Sequence, residues 1–254
     1  MVFHIDGGAY DRFMGRYSTQ LAPLFADFAG VEAGQQVLDV GAGPGALTAQ
    51  LVARVGAERV AAAEPSPEFI AALGSRLPGI DAREAPAEQL PWKAASFDTV
   101  LAQLVLSFVS DAPAAASEMR RVARSGGVVA LCMWDEDGLE LSPPLHAART
   151  AVVGEDAQPL RVLPFRSEGA LGELLAQAGL QRVETTTLEV KSEYSSFDEF
   201  WEVSRAMIGP DTAWMQGLDD ARLATGRVAA HRALGSPGGA FTLSARAAAA
   251  RAQN

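Results

Sequence analysis

The chain has 254 residues, 48% of them hydrophobic and 20% charged, and a formal net charge of −10. That length suits one large α/β domain with small insertions, and the composition is that of an ordinary globular protein. The acidic balance argues against nucleic acid or an anionic membrane surface as partner, and the lone Cys132 excludes an intrachain disulfide or a thiolate zinc site. His4, Asp6, Asp11 and Arg12 interrupt the start, so no secretory leader is expected. No uncharged run approaches the ~20 residues that a membrane helix needs. A cytoplasmic protein is the simplest reading, and its oligomeric state is not encoded in any of these features.

In chain order, the first strong signal is a strand over 36–40 that runs into Gly41-Ala42-Gly43-Pro44-Gly45 and then a helix over 46–55. A strand that breaks through glycines into a helix brings bare backbone beside a ligand. A second strand over 59–64 ends on Glu64, with a helix over 67–75 behind it. Strands follow over 80–84, 99–104 and 127–133, with a helix over 113–122. This alternation implies a mostly parallel sheet with helices on both faces. Ligands of such sheets bind beyond the carboxyl ends of the strands, so Asp39, Glu64 and Gln103 are expected at one rim. After Trp134 the texture changes: 135–138 and 142–144 read as loop, 145–153 and 168–178 as helices, and 183–190 as a strand. Helical stretches over 197–208 and 219–234 come next. The chain closes with 239–251, which starts as a strand at Phe241 and whose alanine-rich end could be helical.

Gly41, Gly43 and Ala46 fit the dinucleotide fingerprint, and an acid about 20 residues on suits a ribose in either case. Two residues oppose a dinucleotide. Pro44 has no N–H to give a diphosphate, and Asp39 would bring negative charge towards it. Neither objection applies to S-adenosylmethionine, which has no phosphate and carries an ammonium and a sulfonium. On these residues the chain resembles the class I S-adenosylmethionine-dependent methyltransferases, whose first motif Val37 to Gly45 matches residue by residue. The resemblance implies a Rossmann-like, doubly wound, mostly parallel seven-stranded sheet with an antiparallel last strand and helical lid insertions. A single domain is expected, with its core at about 30–134, 168–192 and 239–251. Lid segments are expected at about 1–20, 135–167 and 195–237.

The resemblance also implies a site. Asp39, Gly41, Ala42 and Gly43 would form the cofactor loop, and Glu64, followed by Pro65 and Ser66, would bind both ribose hydroxyls. Ala87 would offer its N–H and Glu88 its carboxylate to the adenine edge. Gln103 would use its backbone carbonyl on the methionine ammonium, with Leu104 beside it. The segment holding Tyr10, Met14 and Arg16 resembles one that folds over the cofactor in small-molecule methyltransferases. Its alternative is an amphipathic helix packed on the sheet edge. No catalytic base is evident; His146, Asp135 and Glu136 are the candidates, and Trp134, Phe165, Trp201 and Trp214 could wall an apolar substrate. No residue pattern has metal-ligand spacing. The expected function is methyl transfer from S-adenosylmethionine to a small organic molecule. The alternatives are a non-catalytic protein that binds the same cofactor and, less favoured, an NAD-binding oxidoreductase.

Overall fold

In the computed structural model, residues 11–154, 163–206 and 212–254 are described. One turn of π-helix at Asp11–Gly15 leads into α1 (Arg16–Phe28), which turns Leu21, Ala22, Phe25 and Ala26 fully inward. This helix is amphipathic: Thr19, Gln20, Leu24 and Asp27 on its other face are exposed. Then come β1 (Val37–Val40), α2 (Ala46–Val55), β2 (Val60–Glu64), α3 (Pro67–Arg76), β3 (Asp81–Glu84) and β4 (Phe97–Gln103). The run continues with α4 (Ala112–Val122), β5 (Ala123–Leu139), α5 (Ser142–Val153), α6 (Glu168–Gln177) and β6 (Gln181–Tyr194). It ends with α7 (Phe197–Ala206), α8 (Asp220–Ala233) and β7 (Phe241–Gln253).

The strands form one seven-stranded sheet in the order β3-β2-β1-β4-β5-β7-β6. The first five pair in parallel. β7 runs against them: Gly126 N donates to Asn254 O, while further along β5 Glu140 N donates to Ser244 O. Every residue of β1 and β2 is buried, because parallel strands carry helices on both faces. α2 supplies part of that cover through Leu47, Thr48, Leu51 and Val55, the spacing of one helical face. β3 is the edge, and its exposed Asp81, Arg83 and Glu84 discourage pairing with another strand.

The chain packs as two compact units. One comprises Ser18–Glu136, Leu163–Leu188 and Ala247–Asn254 and contains the parallel strands. Among the described residues, the other draws on 11–17, 137–154, 189–206 and 212–246, much of what was expected as lid. Within this second unit α5 packs on α8, where Gly226 lies against Val152 and Ala148, and an aromatic group gathers Tyr194, Phe197, Phe200, Trp201 and Phe241.

Several boundaries differ from the sequence expectation: 142–144, expected as loop, open α5, whose first turn accepts proline, and β5 starts at Ala123 rather than at 127. The polar stretch 135–138 is the far end of β5 rather than a loop, since that end pairs with β7. β6 likewise runs on to Tyr194. The alanines of β7 are strand throughout, not helix: Ala247, Ala248, Ala249 and Ala250 are all buried, and interior space between β5 and β6 outweighs their helix propensity.

Candidate cofactor site

The rim of the sheet is built by the loop between β1 and α2. Gly41 N and Ala42 N both donate to Ala63 O, at 2.7 and 3.1 Å, so the loop is laced onto the end of β2. Gly43 N donates to Glu64 Oε2 at 2.9 Å and Ser66 N to Glu64 Oε1 at 3.0 Å. Gly45 N donates to Ala42 O. The loop amides are thus used internally, and Pro44 has none to give. A diphosphate would find carboxylates here instead of N–H donors, so the residues do not fit a dinucleotide.

They do fit a phosphate-free ligand with hydroxyls and positive charge. Glu64 is only 7% exposed, and each of its oxygens has used one acceptor position on a backbone amide, leaving the other for a ribose hydroxyl. Burial pushes its carboxyl above the usual range, while the Gly43 and Ser66 amides pull it down. Ser66, not Glu64, caps α3, through Phe69 N. Asp39, at 1% exposure, accepts from the Thr48 hydroxyl at 2.6 Å. Burial pushes its carboxyl up to about 7, Thr48 opposes that shift, and the neighbouring Glu64 charge adds to it. A cation at this rim would relieve both carboxylates. Thr48 gave no signal in the sequence, because its role depends on α2 folding back beside β1.

Glycine is required at Gly41, with φ +73°, because a Cβ would lie 2.6 Å from Val105 Cγ1. At Gly43, φ +53°, the same atom would meet nothing within 4 Å. The space beside Gly43 and Glu64 is open.

Of the remaining expected residues, Ala87 is buried after β3 and Pro65 is exposed. Glu88 Oε1 accepts from Ser110 N and Asp111 N, at 2.7 and 3.1 Å, which ties this carboxylate to the entry of α4. Gln103 and Leu104 stand together at the end of β4, Leu104 with φ +63°. Met14, half-buried, is in the π-helical turn, and Tyr10 lies outside the described residues. Arg16 belongs to the other unit, where it pairs with Glu199 at 2.6 Å and lies 4.4 Å over the Tyr194 ring. Its fork is occupied by partners that the spacing of the sequence did not suggest. That pairing holds the Glu199 carboxyl down to about 2. Its stabilisation is therefore present above the unfolded value of 4.5 and lost as pH falls through 2. An Arg16→Met variant should lose this acid-limb dependence in a pH series of thermal melts.

Among the base candidates, His146 is exposed on α5 and Asp135 is half-buried on β5. The Asp135 carbonyl accepts from Arg166. Glu136 lies on the same strand, and its side chain is outside the described residues. Trp134 and Trp201 are buried, and Trp201 stacks on Phe197. Among the described residues no group of three His, Cys, Asp or Glu could hold a metal ion, and no helix is long and apolar enough to cross a membrane.

Residues 38–131, from β1 into β5, match the methyltransferase domain family. An uncharacterised methyltransferase of Mycobacterium bovis is 34% identical over 154 residues, 61% of this chain and 59% of the relative. A human mitochondrial arginine hydroxylase is 31% identical over 128 residues, 50% of this chain and 36% of the relative. The chain spans about half the length of the mycobacterial relatives it matches. Among solved structures, a SAM-dependent methyltransferase from Aquifex aeolicus superposes with a TM-score of 0.52 at 22% identity, over 69% of this chain and 87% of the other. Residues 38–131 therefore resemble a methyltransferase domain, and the sheet that carries them has the fold of the class I methyltransferases, enzymes whose cofactor is S-adenosylmethionine.

Proposed function

We propose that the protein transfers a methyl group from S-adenosylmethionine to a small organic molecule. The observation that carries this reading is the Gly41–Gly45 loop fastened to a buried Glu64 whose two oxygens keep free acceptor positions. Glu64 would hold the ribose, and the acidic rim with Asp39 would favour a cationic ligand. The cofactor supplies an electrophilic methyl on a sulfonium, and displacement there is in line. The chain's own contribution is chiefly alignment, which can account for a large share of such a rate. A base is needed only if the acceptor must lose a proton; His146, Asp135 and Glu136 are the proposed candidates. The unit that contains α5, α7 and α8 is proposed to select the acceptor, since the family match at 38–131 falls in the other unit and segments outside the common core often set specificity.

Calorimetric titration with S-adenosylmethionine and its demethylated product, S-adenosylhomocysteine, tests this. Glu64→Ala strips two hydroxyls of a charged acceptor and should weaken binding by about 1.5–3 kcal/mol. Heat with NAD and none with either adenosyl ligand would overturn the assignment. A second reading, chemistry other than methyl transfer on the same domain, is favoured by the relative named as an arginine hydroxylase. Loss of the labelled methyl from the cofactor to an acceptor, followed by mass spectrometry, separates the two.

A further inference from the structure

The loop that leaves β4, residues 104–111, carries an aromatic ring that the cofactor reading does not use. Phe108 is 56% exposed, and among the described residues it is the only aromatic side chain so open to solvent. Single exposed apolar residues are ordinary, so exposure alone decides nothing. What decides is how the ring is held, and where.

The loop is fastened along its whole length, within the unit of the parallel strands. Leu104 opens it at φ +63°, uncommon for a residue other than glycine, and its N–H donates to Cys132 O at 2.8 Å. The Val105 side chain fills the space that a Cβ on Gly41 would need. Ser107, 3% exposed, donates from its hydroxyl to Pro164 O at 2.9 Å. Phe108 N closes a turn on Val105 O at 2.8 Å, and Glu88 holds the amides of Ser110 and Asp111. Phe165, next to Pro164, is half-buried at φ +61°, an outlier for so bulky a residue. Backbone strain persists only where the surroundings enforce it, and it gathers at ligand sites. A ring in water on a loop this firmly anchored is held out for contact, as binding residues on a rigid scaffold are.

Its place is the carboxyl-end rim. β1 and β4 are adjacent and parallel, so the loops after them leave the sheet side by side, and Val105 against Gly41 is where they meet. Ligands of such sheets gather beyond these strand ends. We infer that Phe108 is a specificity-determining residue for the methyl acceptor, an apolar wall on which the acceptor lays a flat, apolar face. This deepens the proposed function and rests on it: the acceptor class becomes a small molecule with an aromatic part. Aromatic pairs favour offset or edge-on contact, which an open ring permits. To the selection proposed for α5, α7 and α8 it adds a contact from the unit of the parallel strands.

The test uses indole as a flat apolar probe, titrated by ligand-observed NMR into protein saturated with S-adenosylhomocysteine. Wild type is compared with Phe108→Ser and with Phe108→Tyr, which keeps the ring. Indole should bind wild type and Phe108→Tyr alike, and Phe108→Ser on the order of threefold to tenfold more weakly, the value of one aromatic pair. Affinity for S-adenosylhomocysteine and the melting temperature should be the same in all three, because the ring is exposed and lies outside the cofactor contacts. Equal indole binding by wild type and Phe108→Ser, or none by wild type, overturns the acceptor wall alone. So does a dimer in light scattering that Phe108→Ser converts to monomer, since a second copy would then cover the ring. Failure of wild type to bind S-adenosylhomocysteine overturns the cofactor site beneath it.

Discussion

Gly43→Ala should leave the protein folded and close its cofactor site, whereas Gly41→Ala should damage the fold itself. Both glycines have left-handed φ, which costs an alanine roughly 1–2 kcal/mol. Only at Gly41 does the new methyl also collide with a neighbour, the Val105 side chain, and overpacking of that kind adds about 1–3 kcal/mol. At Gly43 the methyl enters open space next to the Glu64 carboxylate. That is where a ribose held by Glu64 would sit. The two variants should therefore separate in a pair of measurements. Chemical denaturation should show a loss of roughly 2–5 kcal/mol for Gly41→Ala and about 1–2 kcal/mol for Gly43→Ala. Calorimetry with S-adenosylhomocysteine should show little or no heat for Gly43→Ala. Adding Val105→Ala to Gly41→Ala should recover the part of the loss due to the collision and leave the part due to φ. If Gly43→Ala binds as wild type does, the ligand lies elsewhere.

The glycine loop was legible because its signals are local. Alternating glycines after a buried run, then a helix with one apolar face, specify a strand–turn–helix unit without help from distant residues. Glu64 was legible for the same reason, as the polar end of an apolar strand. What sequence could not supply is which groups hold these side chains in place. Thr48 reaches Asp39 only once α2 has folded back, and Glu88 is drawn to the amides at 110 and 111 by the placement of α4. Arg16 and Glu199 are separated by most of the chain, and no periodicity connects them. The alanines of β7 left strand and helix open, since their intrinsic preference is helical and only a tight position between two strands overrides it. Local rules identified the rim, and tertiary packing decided which of its groups are already engaged.

Asp39→Asn should change the pH dependence of both stability and binding. Burial, helped by the Glu64 charge, raises the Asp39 carboxyl from 3.8 to about 7. Because the folded value is the higher one, the folded protein keeps a proton that the unfolded chain releases above about pH 4. The proton-linked stability is fully present below 3.8, declines as pH rises, and is lost once pH passes about 7. Asparagine has no such proton. The stability of Asp39→Asn relative to wild type should therefore improve by roughly 2–3 kcal/mol between about pH 5 and pH 8, at 1.36 kcal/mol for each unit crossed. Binding should move the other way. A cationic ligand favours the ionised carboxylate, so wild type must release a proton to bind below about pH 7, and its affinity should climb through that range and level off above it. Titrations in buffers of different ionisation heat would register the released proton directly. In Asp39→Asn the release should vanish and the affinity should be weaker and flat with pH. A wild-type affinity that does not vary between pH 5 and 8 would show that Asp39 is already ionised in the free protein, held so by Thr48 against the cost of burial.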